Sequence, residues 1–166
     1  MDDGNVSVPV AGVIPMAQIA GDTEEDTELL RVMADGAANF LKSFPWCKKI
    51  LTSYFGDGFG GVVGVFLFHI EPTREDIDKW LWVVFGDVPP AFLVIDRARK
   101  PSRALECYIE EVSRWVELAK QGRSSTKVIP VLVPATPENA VDIESRLKML
   151  REVIVPAFRE AETIRA

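Results

Sequence analysis

Apolar positions recur at Leu30, Met33, Ala37, Phe40, Leu41 and Phe44, a helical spacing. Asp22 and Thr23 stand before it as caps, and acids fill the next turn, where the helix dipole favours them. Pro45 ends this helix or opens a short second one over Trp46–Leu51. Gly56–Gly61 reads as a flexible connection. Val62–Ile70, rich in β-branched and aromatic residues, predicts a central strand. Trp80–Phe85 and Ala91–Ile95 predict two more, joined antiparallel by the turn chemistry of Gly86-Asp87-Val88-Pro89-Pro90. A second long helix opens at Pro101-Ser102, carries Leu105, Tyr108, Ile109, Val112, Trp115, Val116 and Ala119 inward, and stops at Gly122. Val128–Val133, interrupted by Pro130, is an edge strand or an extended connection. Thr136-Pro137-Glu138 opens a last helix, with Pro156 expected to kink or end it.

Residues 1–21 have apolar letters without a period, broken by Pro9, Gly12, Pro15 and Gly21. They predict a flexible N-terminal arm, with at most a short edge strand at Val6–Val10, ahead of one domain over 22–166. The order α, β-β-β, α, (β), α lacks regular βαβ alternation. It predicts an α+β fold: a single-layer antiparallel sheet of three to four strands packed against helices on one face.

Composition sharpens this picture in three ways. With 166 residues, 48% of them hydrophobic, the chain can bury a core without staples. Cys47 and Cys107 are too few for a disulfide framework, so a reducing, cytoplasmic setting is expected. No apolar run reaches membrane-spanning length, and the start lacks the basic region of a signal peptide, so no membrane partner is expected. The net charge of −6 is local: residues 1–28 hold seven acids and no Lys or Arg, leaving 18 acids against 19 bases in the other 138. Overall acidity makes a nucleic-acid partner unlikely.

Candidate chemistry is sparse. One histidine, His69, and two separated cysteines cannot complete a closed zinc site, so no metal and no cofactor are expected. Gly56–Gly61 follows a helix and precedes a strand, the reverse of a phosphate loop, and no Gly-Lys-Ser/Thr follows. A Cys47–His69 dyad is conceivable, with Lys48 and Lys49 favouring a thiolate, but a structural thiol and a strand histidine explain both residues. Asp57 and Asp87 sit in connections, where Asp commonly serves the turn itself. Arg97, Arg99, Lys100 and Arg103 straddle the start of the Ser102 helix, where free amides already attract anions. The cluster reads either as a solvated turn or as a site for an anion: phosphate, a partner's carboxylates, or the chain's own Asp22–Glu28. Trp80 and Trp82 share one face of their strand, either under a helix or as an exposed aromatic platform.

The run Trp82-Val83-Val84-Phe85-Gly86-Asp87-Val88-Pro89-Pro90-Ala91-Phe92, followed by Tyr108-Ile109 and Trp115-Val116, resembles a family of uncharacterised bacterial proteins. That family has a W-V-x-x-G-D-x-P-P-A-[FY] hairpin and a Y-I…W-V helix. The resemblance spans roughly residues 40–160 and implies no activity. In size and acidity alone the chain is similar to small toxin-immunity proteins. The expected function is a non-enzymatic, immunity- or adaptor-like protein-binding domain. The alternative is a small enzyme or ligand-binding domain using Asp57 and Asp87 with Arg97 or Arg99 on an anionic ligand.

Overall fold

The computed structural model describes residues 7–165. Five strands follow one another across one antiparallel sheet: β1 (Ile14–Pro15), β2 (Cys47–Phe59), β3 (Val63–Pro72), β4 (Trp80–Gly86) and β5 (Val88–Val94). The class is α+β. Both faces of β3 and β4 are apolar because both are covered. Helix α1 (Glu24–Lys42) lays Leu30, Met33, Ala37 and Leu41 on Phe55, Phe66, Phe68, Ile70, Leu81 and Val83. On the opposite face, α2 (Pro101–Ala119), α3 (Pro137–Met149) and α4 (Val155–Arg165) cover Val63, Val65, Leu67, Trp82 and Val84. The expected sheet of three to four strands with helices on one face is therefore corrected to five strands, covered on both. Among the described residues, no helix is long and apolar enough to cross a membrane.

The largest correction is β2. Its thirteen residues replace both the short helix that was one of the two readings of Pro45, over Trp46–Leu51, and most of the flexible connection expected over Gly56–Gly61. The glycines are there for clearance. A Cβ on Gly56 would stand 2.8 Å from the Val65 carbonyl and 3.0 Å from the Pro101 ring. One on Gly58 would stand 2.9 Å from both Leu30 and the Val63 carbonyl. Helices close in on this strand from both sides, and only glycine admits them. The chain turns at Gly60-Gly61, where Gly61 has a φ of 79°.

Helix boundaries follow their signals. The Thr23 hydroxyl accepts the Asp26 N–H at 3.0 Å, and Thr136 accepts that of Asn139 at 3.2 Å. Gly122, at φ 67°, follows α2. Pro156 neither ends nor breaks the last helix, because a π-helical turn at Leu150–Ile154 carries α3 into α4. The wider turn relieves the clash between the proline ring and the carbonyl four residues back.

The strand expected at Val6–Val10 falls partly outside the described residues, and Val8–Val10 is not strand; the strand is instead Ile14–Pro15, paired with Tyr54–Phe55. Val8, Val10 and Val13 pack against the α2–α4 core, and the Ala11 N–H donates to the Arg99 carbonyl at 2.9 Å. Ile19 is only 4% exposed. Deleting residues 1–19 should therefore destabilise the body by about 3 kcal/mol or more, from the Ile19 side chain and the three valines. Urea unfolding checks this, and an unchanged midpoint would make the segment a passive arm.

Candidate functional site

The basic cluster meets acids of its own chain. Arg97 forms ion pairs with Glu110 and Glu111, each at 3.1 Å, and its pKa is raised chiefly by the hydrogen bond to Glu111. Arg103 pairs with Glu110 at 3.4 Å and Glu106 at 3.8 Å, and Arg159 also reaches Glu106. Arg99 donates to the Pro9 carbonyl at 3.2 Å, and Lys100 is the residue before α2. The α2 N-terminus does hold an anion, namely Glu162 of α4. Its carboxylate accepts the Ser102 N–H at 2.8 Å and the Ser102 hydroxyl at 2.6 Å. The Asp22–Glu28 segment is occupied elsewhere: Asp26 accepts the Asp22 and Gly60 N–H groups, and Glu28 pairs with Arg31.

The two tryptophans on β4 share a face and part company in burial. Trp82 is fully buried, its indole N–H donating to the Ala98 carbonyl at 2.9 Å. Trp80 is half-buried, stacked on His69 at 4.3 Å and 9° and 6.0 Å from Tyr54. Burial, and then Lys79, lowers the His69 pKa. Cys47 begins β2 on the α1 side of the sheet, whereas His69 stacks on Trp80 on the other, so the dyad does not form. Burial pushes both the Cys47 and Cys107 thiols up, away from thiolate chemistry.

Asp57 and Asp87 serve separate neighbourhoods. Asp57 lies in β2 near Arg165, Glu162 and Asp22, and burial pushes its carboxyl up to about 6. Asp87 caps the β4–β5 hairpin, where Arg146 of α3 donates to its carbonyl at 3.1 Å and its carboxylate at 3.4 Å. Neither meets Arg97 or Arg99, whose partners are Glu110, Glu111 and Pro9. Among the described residues no group of three potential metal ligands converges.

A different constellation does converge. Phe40 and Phe44 lie one turn apart at the end of α1, with ring centres 5.2 Å apart. Trp46 stacks on Phe44 at 5.1 Å, and Phe92 of β5 closes the group at 5.2 Å from Phe44 and 5.0 Å from Trp46. The Trp46 carbonyl, accepting the Thr73 N–H at 2.9 Å, pins that residue against the β3–β4 connection. All four rings are half-buried. Helical spacing groups Phe40 and Phe44 with the apolar positions of the first helix, and Pro45 leaves Trp46 either past its end or in a short second helix. The approach of Phe92 depends on the β4–β5 register, which no local signal carries. Comparison with protein families, with curated proteins and with solved structures finds no match to the chain.

Proposed function

We propose that this protein is a cytosolic protein-binding module, of the adaptor or immunity kind, that engages its partner through Phe40, Phe44, Trp46 and Phe92. The observation that carries the reading is the mutual contact of four half-buried aromatic rings at one edge of the sheet. Large aromatic side chains in a desolvated cluster are the usual anchors of protein interfaces. They come from three places in the chain and are held rigidly, which limits the entropy lost on binding.

A photo-reactive phenylalanine analogue at position 44 should yield one dominant protein adduct in cells. The same analogue at Val32, 66% exposed on the α1 surface, should not. Trp46→Ala should weaken capture at position 44 about tenfold, some 1.4 kcal/mol, while leaving the fold intact. Equal adducts from both positions, or none from position 44, would sink the reading.

A further inference from the structure

Helix α4 closes the chain by lying along β2. The pairs Asp57–Val65 and Phe59–Val63 put Asp57 and Phe59 on the face that α2–α4 cover. Phe158 of α4, fully buried, stacks on Phe59 with ring centres 6.2 Å apart. Four helical residues advance about 6 Å and two strand residues about 6.6 Å. Glu162, four residues beyond Phe158, therefore comes to Asp57, two residues before Phe59. The start of α2 meets the same stretch, since the Pro101 ring packs on Gly56. Asp57 accordingly feels the charges of Glu162 and Arg165, and that of Asp22 ahead of α1. Among the described residues its carboxylate accepts only the Gly58 N–H, at 2.8 Å.

One residue fastens the end of α4. Beyond Arg159, only Glu162 has a side chain bonded to another element among the described residues. Its carboxylate takes both the N–H and the hydroxyl of Ser102, which is 1% exposed. Lys100, the residue before α2, makes no side-chain cap, so the helix start relies on this carboxylate. Beside the contact lies a cavity of about 320 Å³ lined by Ala11, Gly12, Lys100, Glu162 and Arg165. The last turn of α4 therefore has one tether and little packing to either side of it.

We propose that the Glu162–Ser102 contact is a pH-sensitive clasp, closed while Asp57 is protonated and loosened when Asp57 ionises. Ionised, Asp57 becomes a third carboxylate beside Glu162 and Asp22, answered by Arg165 and, across the cavity, by Lys100. Lifting the last turn of α4 takes Glu162 out of that group and lets water reach Asp57. In the closed state its carboxyl titrates at about 6, chiefly because of burial; uncovered, it returns toward 3.8. The lifted state therefore gains population as pH rises from about 4 to 6, and the gain levels off above that window. These two values limit it to about a hundredfold, and residual solvent contact in the closed state lowers it.

The Ser102 N–H reports the clasp directly, because Glu162 is its acceptor. Its amide exchange, followed by NMR and corrected for intrinsic rates, should lose about tenfold in protection between pH 4.5 and 7.5. That exchange should be insensitive to low urea, unlike the exchange of Ile109 and Val112 in mid-α2, which marks a local opening. In Asp57→Asn the Ser102 protection should stay near its pH 4.5 value throughout. Glu162→Ala should strip it at both pH values. Constant wild-type protection overturns the proposal, as does an equal loss in Asp57→Asn, since another group would then set the response. Protection that rises with pH overturns it too, because a carboxylate cap strengthens as it ionises and Glu162 itself would be titrating. Ser102 protection that matches Ile109 and Val112 at every pH and urea concentration would make the opening global, and also decides against the clasp. If Glu162→Ala unfolds the chain, wild type against Asp57→Asn settles the matter alone. None of these outcomes touches the Trp46 reading.

Discussion

Trp82→Ala should cost about 4–5 kcal/mol and lower the thermal midpoint by about 10–20 °C, whereas Trp80→Ala should cost about 1 kcal/mol. Trp82 is fully buried between β4 and the α2 side of the core. Trp82 is the bulkiest fully buried side chain among the described residues, so its removal leaves a large cavity, and such cavities stay partly open. It also strips the Ala98 carbonyl of the indole donor at 2.9 Å, leaving a buried acceptor without its partner. That bond ties the Ile95–Arg97 turn to the sheet just ahead of α2, so the loss should spread to the α2 N-terminus. Trp82→Phe should recover about half of the stability, by refilling the cavity without the N–H. Trp80 instead loses a stack on His69 at the edge of the core. Urea titration of the three variants checks the order. Equal costs for Trp80→Ala and Trp82→Ala would mean that both are rim residues, and the pair would return as a binding platform.

The same two residues show where sequence reading reaches and where it stops. Period-2 alternation places Trp80 and Trp82 on one face, and that much is visible in the letters. How far a helix extends over that face is not. The starts of α1, α2 and α3 were legible because Thr23 and Thr136 cap their own next turn and Pro101 suits a first helical position. β2 was not, because Gly56 and Gly58 look like a hinge until Leu30 and Pro101 are known to press on them. Glycine weakens strand propensity locally, and only the tertiary contact explains its presence. The basic cluster shows the same division. Its place at the start of α2 was legible from Pro101 and Ser102. The anion held at that helix start was not, since Glu162 reaches Ser102 from sixty residues further on. The aromatic cluster adds the clearest case: Phe40, Phe44 and Trp46 lie close in sequence, but Phe92 joins them only through the meander of strands between.

Asp57→Asn should stabilise the protein at pH 7.5 by about 1–2 kcal/mol and flatten its stability between pH 4 and 7. The Asp57 carboxyl titrates in the folded chain at about 6, against an ordinary 3.8. Burial is the main cause, and the Glu162 and Asp22 charges add to it, while the Gly58 N–H and Arg165 oppose it. Between the two values the folded state holds a proton that the unfolded state has lost. Stability therefore falls as pH rises through about 4 to 6, and the loss is complete above that window. A shift of about two units corresponds to about 3 kcal/mol at most. Solvent still reaches part of this carboxylate, so screening reduces the figure. Asparagine is neutral at every pH and can still accept the Gly58 N–H, so it keeps the geometry and removes the charge. The variant and the wild type should then have nearly equal stability at pH 4 and diverge as pH rises. Because Glu162 holds the α2 N-terminus, the divergence should appear first as slower amide exchange around Ser102 and in the last turns of α4. Urea titrations at pH 4, 5.5 and 7.5 decide it. A variant that is less stable than wild type at pH 7.5, or a constant gap across the three, would show that Asp57 is ionised and favourably held in the folded chain.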